Sequence, residues 1–371
     1  MTKFIPLAKP EFGSVEKKLV NQCLDTGWIS SIGDHVDQFG KNLAQYTKTK
    51  YALPVSSGTA ALHLALIALN IQKGDEVIVP ALTFVASVNT IIYVGAKPVF
   101  VDIEPDTFNL DIDKLESKIT PKTKAIISVD LYGHPIDFNR LKKICRKHHL
   151  KLLSDSAESL GSKYKGKPVG SQADITTFSF FGNKIITTGE GGAVVTNNQK
   201  YYQICQLYRD QGKDTSVHNY FHPVIGYNYG LTNLQAAVGI GQLKQINKLV
   251  RQKRAIAAAY LKFLADISGI SFQQEQSHAQ SNWWMFSILV NKKQFGCSRD
   301  ELMQFLKTKN IETRPFFYPM HMLPPYKKGI KASDFPVTKK ISQMGINLPT
   351  YASLKRHDIE YICQNIKKSH K

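Results

Sequence analysis

Between residues 52 and 196 the chain alternates short apolar runs with stretches of helical length, a pattern that few architectures accommodate. EVIVP, KPVFVDI, KAIISVDL, LKLLSD, ADITTFSF and GGAVVT read as buried strands, whereas ALHLALIALN, FVASVNTIIYVG and DFNRLKKICRKHHL have helical spacing. Strands that are apolar throughout and separated by helices predict a largely parallel sheet covered on both faces. Residues 231–267 form one long helical stretch, and beyond it WWMFSILV is the one clear strand, with helices at SRDELMQFLKTKN and LKRHDIEYICQNIKK. The expected architecture is therefore α/β: a large domain over residues 1–245, N-terminal segment included, and a small α+β domain over 246–371 that takes in the connecting helix. A chain of 371 residues, 43% of them hydrophobic, has apolar material for two cores. No internal repeat, heptad seam or low-complexity linker separates them, so the two are expected to pack together.

Charge and cysteine usage narrow the function classes. The balance of 48 Lys and Arg against 29 Asp and Glu gives a formal charge of +19, but the basic residues are spread along helices and loops without a nucleic-acid-binding signature. Such a surface also draws in anionic substrates or cofactors. Cys23, Cys145, Cys205, Cys297 and Cys363 are scattered and lack C-x-x-C spacing, so neither a disulfide framework nor a metal site is expected, and a reducing, cytoplasmic setting fits. The opening MTKFIPLAKPEFG lacks the apolar run of a signal peptide, and the most apolar region, 76–103, is broken by Pro80, Thr83, Ser87, Asn89 and Lys97. No membrane span is expected.

Three segments carry residue types suited to chemistry. In VSSGTAAL, residues 55–62, a strand ends and an apolar helix begins; free N–H groups there, with Gly58 allowing close approach and Thr59 adding a hydroxyl, suit a phosphate, although Ser and Thr are also ordinary helix caps. In LLSDSAESLG, residues 152–161, Asp155 falls at the carboxyl end of a predicted strand, where open α/β sheets bind ligands. It can cap the next turn or pair with a pyridinium nitrogen, and Glu158 follows three residues later. In SFFGNKIITTGEGG, residues 179–192, Ser179 precedes Lys184 by five positions. Lys184 sits among aromatic and aliphatic neighbours: it either extends to water along its stem or is buried with a lowered pKa, as an imine-forming lysine requires. A phosphate cradle, an aspartate and such a lysine are the parts that pyridoxal phosphate needs.

Taken in order, TGWISSIG, SSGTAALHLAL, VPALTFVAS, DLYGHP, FSFFGNKIITTGEGG, VIGYNYGLTNLQAA, ETRPFFYPMHMLPPY and NLPT resemble the DegT/DnrJ/EryC1/StrS-type nucleotide-sugar aminotransferases, which are fold type I pyridoxal-phosphate enzymes. The resemblance spans nearly the whole chain and is closest to the GDP-perosamine synthase branch, whose members aminate the C4 ketone of GDP-4-keto-6-deoxymannose with L-glutamate as donor. It implies that Lys184 is the Schiff-base lysine, that Asp155 partners the pyridine nitrogen and that Glu158 lies by the ring. Gly58, Thr59 and Ser179 match phosphate-binding positions, and Phe84 matches an aromatic that stacks on the ring. Asn228 matches a residue that reaches the phosphate from the neighbouring subunit, which implies a homodimer with shared sites. Arg314 and His321 lie in a segment implied to face the nucleotide sugar, and Trp28, Ser30 and Ser31 match one at the mouth of the site. Bacterial surface-glycan synthesis, the O-antigen of lipopolysaccharide included, is the implied setting.

Two positions depart from the family pattern: Ser154 replaces a common acidic residue, and Gly230 replaces a common arginine. Rival readings are amination of a UDP- or dTDP-linked keto sugar, a dehydrating relative, and a noncatalytic basic binding protein on the same fold. The dehydrating branch has histidine at the lysine position, which Lys184 opposes. The retained lysine, aspartate and phosphate residues oppose the binding protein.

Overall fold

A seven-stranded sheet organises the larger part of the chain, in the order Tyr51–Val55, Gly192–Thr196, Ile175–Ser179, Lys151–Asp155, Thr123–Val129, Glu76–Pro80, Lys97–Val101. Only Gly192–Thr196 runs against the rest. The computed structural model describes residues 3–370 apart from 215 and 219. Alternate side chains of each strand feed opposite cores. Val77, Val79, Ala125, Ile127 and Leu153 pack with helices Gly58–Ala68 and Ala86–Tyr93, whereas Ile78, Ile126 and Leu152 pack with helix Phe138–Lys147. Both faces are apolar because both are covered, which is why the strands read as unbroken apolar runs.

A capping box starts the long helix Asn233–Leu264: Gln235 N donates to Thr232 Oγ1 at 3.2 Å, and Thr232 N donates to Gln235 Oε1 at 3.0 Å. Its first half packs Ala236, Ile240 and Ile246 against the large sheet with Phe39 and Phe180, and its second half packs Ile256, Tyr260 and Leu264 into a separate core. The boundary expected at 245/246 falls within this one helix. The second core lies on a four-stranded antiparallel sheet ordered Ile270–Phe272, Phe286–Val290, Gly345–Leu348, Arg314–Pro315. Helices Arg299–Thr308 and Arg356–Ser369 contribute Leu302, Leu306, Ile362 and Ile366 to the same core.

WWMFSILV is not a strand throughout, since pairing begins at Phe286. Trp283 adopts a left-handed backbone conformation (φ 52°), and Asn282 Oδ1 accepts from Trp284 N at 2.8 Å, which turns Trp284 out of the ladder. The other three strands of this sheet have four residues or fewer, too short for a periodic signal.

Close approach of the long helix to the N-terminal helices depends on glycine. A Cβ at Gly239 would lie 2.8 Å from Phe39 Cζ, and the Phe39 ring is fully buried and cannot yield. Gly239→Leu should therefore destabilise the protein by about 2–3 kcal/mol, read as a lowered denaturation midpoint; an unchanged midpoint would show the contact to be soft.

Candidate active site

The carboxyl ends of the parallel strands converge on one cavity of about 310 Å³. Asp155 closes strand Lys151–Asp155, and Ser179 closes Ile175–Ser179 five residues before Lys184. Tyr51–Val55 leads into Gly58 and Thr59, and Glu76–Pro80 leads to Thr83 and Phe84. From the smaller sheet comes Arg314, and from segments next to its strands come Phe317 and Trp284. Of the expected site residues, Gly58, Thr59, Phe84, Asp155, Glu158, Ser179, Lys184 and Arg314 all line this cavity.

Lys184 lies in the loop between strands Ile175–Ser179 and Gly192–Thr196, with its Nζ 3.6 Å from Glu158 Oε1 and 3.8 Å from the centroid of the Trp284 ring. Burial lowers its pKa against the opposing pull of Glu158 and Asp155. Burial also raises Glu158 to about 7, although Lys184 and the N–H of Tyr132, which donates to Oε2 at 2.7 Å, hold it down. The two shifts bring the amine and the carboxyl toward each other, which eases proton exchange between them. Asp155 is fixed by Ser87 Oγ, which donates to Oδ2 at 2.6 Å, and by Ala157 N, which donates to Oδ1 at 3.2 Å. Burial pushes its carboxyl up as well, and the Ser87 hydrogen bond counteracts the rise.

At the other end of the cavity, Ser57 caps helix Gly58–Ala68 by accepting from Ala60 N at 3.0 Å. Ser57 closes the turn and, with the first helical residues Gly58 and Thr59, lines the cavity, so the positive end of the helix opens onto it. A Cβ at Gly58 would come 3.0 Å from Ser179 Cβ, so a side chain here would crowd the cradle. Phe84 is 53% exposed at the cavity, which separates it from the core aromatics, and its ring centroid lies 5.8 Å from that of Phe317. A helix N-terminus, a buried carboxyl, a buried amine and an exposed aromatic face in one cavity fit pyridoxal phosphate.

The remaining expected residues lie elsewhere. Asn228 pairs with Asp210 in an isolated bridge and does not line the cavity of its own chain. Trp28, Ser30 and Ser31 belong to an exposed segment tied to the start of the long helix, where Asn233 Nδ2 donates to Trp28 O at 2.8 Å and Asn233 N to Ser30 O at 2.6 Å. His321 is 2% exposed, with its ring centroid 4.3 Å from that of Phe335. At Gly230 a Cβ would meet Ser31 Cβ at 2.9 Å, and the neighbouring Asp210 is engaged by Arg209. Ser154 Oγ is paired with Ser156 Oγ, whose own partner is the buried carboxylate of Asp130. Sequence reasoning missed Ser87, although TFVAS places it one turn beyond Thr83, and missed Trp284, whose diversion from a strand left no periodic signal.

Glu158 makes stability depend on pH. A carboxyl with a raised folded pKa keeps its proton longer in the folded state, so its contribution is fully present below 4.5 and is lost as pH rises toward about 7. In the cofactor-free protein, Glu158→Gln should flatten the fall in Tm between pH 5 and 7, with Asp130 and Asp155, also raised by burial, retaining part of the slope. Identical slopes in variant and wild type would contradict this.

Residues 10–367 match the DegT/DnrJ/EryC1/StrS aminotransferase family. The GDP-perosamine synthase of Escherichia coli O157:H7 is 46% identical over 365 residues, covering 98% of each chain. That of Vibrio cholerae is 42% identical over 363 residues, again covering 98% of each. Among solved structures, the PLP form of the putative sugar aminotransferase Spr1654 from Streptococcus pneumoniae superimposes with a TM-score of 0.93 at 32% identity, covering 99% of this chain and 98% of that one. Sequence, fold and cavity agree, and the chain belongs to the DegT/DnrJ/EryC1/StrS aminotransferase family.

Proposed function

We propose that the chain is a pyridoxal-phosphate-dependent aminotransferase that converts the C4 ketone of GDP-4-keto-6-deoxymannose to an amine, with L-glutamate as donor and 2-oxoglutarate as by-product. The observation that carries this reading is the buried Lys184 amine, 3.6 Å from Glu158 Oε1, in the same cavity as the buried carboxylate of Asp155. Identities of 46% and 42% to two GDP-perosamine synthases support the choice of sugar nucleotide.

Pyridoxal phosphate, when bound, supplies an electron sink for cleavage of the donor Cα–H bond and carries the amino group from donor to acceptor. Gly58 N–H, Thr59 and Ser179 hold the phosphate at the positive end of helix Gly58–Ala68. Phe84 presents its exposed face to the ring, and Asp155, oriented by Ser87, keeps a proton on the ring nitrogen. Lys184 Nζ anchors the cofactor and, when free, takes a proton from glutamate Cα in the first half-reaction and delivers one at the sugar C4 in the second. Glu158 exchanges protons with Nζ between these events. Trp284 and Phe317 exclude water from the reacting atoms, and Arg314 offers a guanidinium to the anionic groups of donor and acceptor.

The active form is a homodimer in this reading. Asn228 lies outside the cavity of its own chain, and the apolar side chains of Trp28, Ile29 and Ile32 on a neighbouring segment are exposed. The second subunit covers that segment and brings Asn228 to the phosphate. All five cysteines are buried thiols, which suits a reducing, cytoplasmic setting; no helix among the described residues is long and apolar enough to cross a membrane. Its amino sugar would enter bacterial surface-glycan assembly, the O-antigen of lipopolysaccharide being one destination.

Incubation with L-glutamate and a panel of GDP-, UDP- and dTDP-linked 4-keto-6-deoxy sugars, followed by mass spectrometry, tests the assignment. The amino sugar should form from the GDP substrate, and Lys184→Ala should lower turnover by on the order of 10⁴-fold. Exclusive use of a UDP or dTDP sugar would overturn the substrate, and multiple turnover by the alanine variant would overturn the role of Lys184.

A further inference from the structure

Lys253 is the least exposed lysine or arginine among the described residues, at 5%. It projects from the long helix Asn233–Leu264, and its Nζ donates to the carbonyl oxygens of Trp284 at 2.9 Å and Thr350 at 2.6 Å. Trp284 precedes strand Phe286–Val290 and Thr350 follows its neighbour Gly345–Leu348, so a single amine ties the helix to the start of one strand and the end of the next. Both partners are dipoles and neither carries a full charge. Burial, with a contribution from Lys184, pushes the Lys253 amine down to about 7. An aliphatic side chain would fill this place without the loss of hydration that a buried amine incurs.

Trp284 links Lys253 to the cavity. Its indole Nε1 donates to Asn183 O at 2.7 Å, its backbone N donates to Asn282 Oδ1 at 2.8 Å, and its ring centroid lies 3.8 Å from Lys184 Nζ. The residue stands outside the sheet ladder, next to the left-handed Trp283, so the ladder does not fix its orientation. Its carbonyl is fixed by Lys253.

We propose that Lys253 is a positioning residue for Lys184, fixing Trp284 so that the indole face stays against the Lys184 amine. The proposal rests on the reading of Lys184 as the reactive amine. An aromatic face favours the ammonium over the free amine, and so sets the pH at which Lys184 becomes nucleophilic. Glu158 and Asp155 act in the same direction from the strand ends, whereas burial, Arg314 and the like charge of Lys253 itself act against it.

Labelling of Lys184 with 2,4,6-trinitrobenzenesulfonate in the cofactor-free full chain, quantified by peptide mass spectrometry across pH, reads this directly. The wild-type midpoint should lie below the ordinary 10.5. Trp284→Leu should lower it by about half to one pH unit in the wild-type background and by much less in the Lys253→Met background, a comparison in which the charge removed with Lys253 cancels. Lys253→Gln, which keeps a donor, should preserve part of the Trp284→Leu effect and serves in place of the methionine variant if that one does not fold. An equal Trp284→Leu effect with and without Lys253 overturns the assignment, because the indole would then keep its place against Lys184 without help from Lys253. A wild-type midpoint near 10.5 would overturn the reading of Lys184 itself.

Discussion

The 3.6 Å contact between Lys184 Nζ and Glu158 Oε1, held out of water, sets the demands that the rest of the structure meets. In water the amine would stay protonated and the carboxyl ionised, and neither would exchange a proton near neutral pH. Burial moves the two toward each other. Such an arrangement destabilises a fold by several kcal/mol per uncompensated charge, so it requires large apolar cores elsewhere and hydrogen bonds aimed at each oxygen. The N–H of Tyr132 meets the second oxygen of Glu158, and Ser87 meets Asp155.

The topology follows from that demand. Parallel strands bring their carboxyl ends to one edge, so Asp155, Ser179 and the start of helix Gly58–Ala68 meet although they are distant in sequence. One strand, Gly192–Thr196, reverses direction, and the loop that feeds it carries Lys184 across the same edge. The large sheet alone leaves this edge open. Arg314 arrives from the smaller sheet and Trp284 and Phe317 from segments next to its strands, and the long helix that enters both cores holds the two parts in register.

Much of this was legible in the sequence, for identifiable reasons. Strands buried on both faces read as plain apolar runs, and Asp155 fell at a predicted strand end, where open α/β sheets bind ligands. Lys184 stood out because its neighbours are apolar. The smaller sheet was mostly hidden, since strands such as Arg314–Pro315 are too short to show a period. Trp284 and Lys253 were hidden for a different reason: each acts through a backbone carbonyl or a ring face reached only after the chain turns, and neither leaves a spacing signature. His321 shows the converse, a residue placed near the site by its segment but packed against Phe335 in the core.

The account stands or falls on which amine bonds the cofactor. Loading the purified protein with pyridoxal phosphate, reducing it with borohydride and mapping the product by peptide mass spectrometry answers this directly. A single cofactor-mass adduct on Lys184 is the predicted result; an adduct on Lys253 or any other lysine, or none at all, would contradict it.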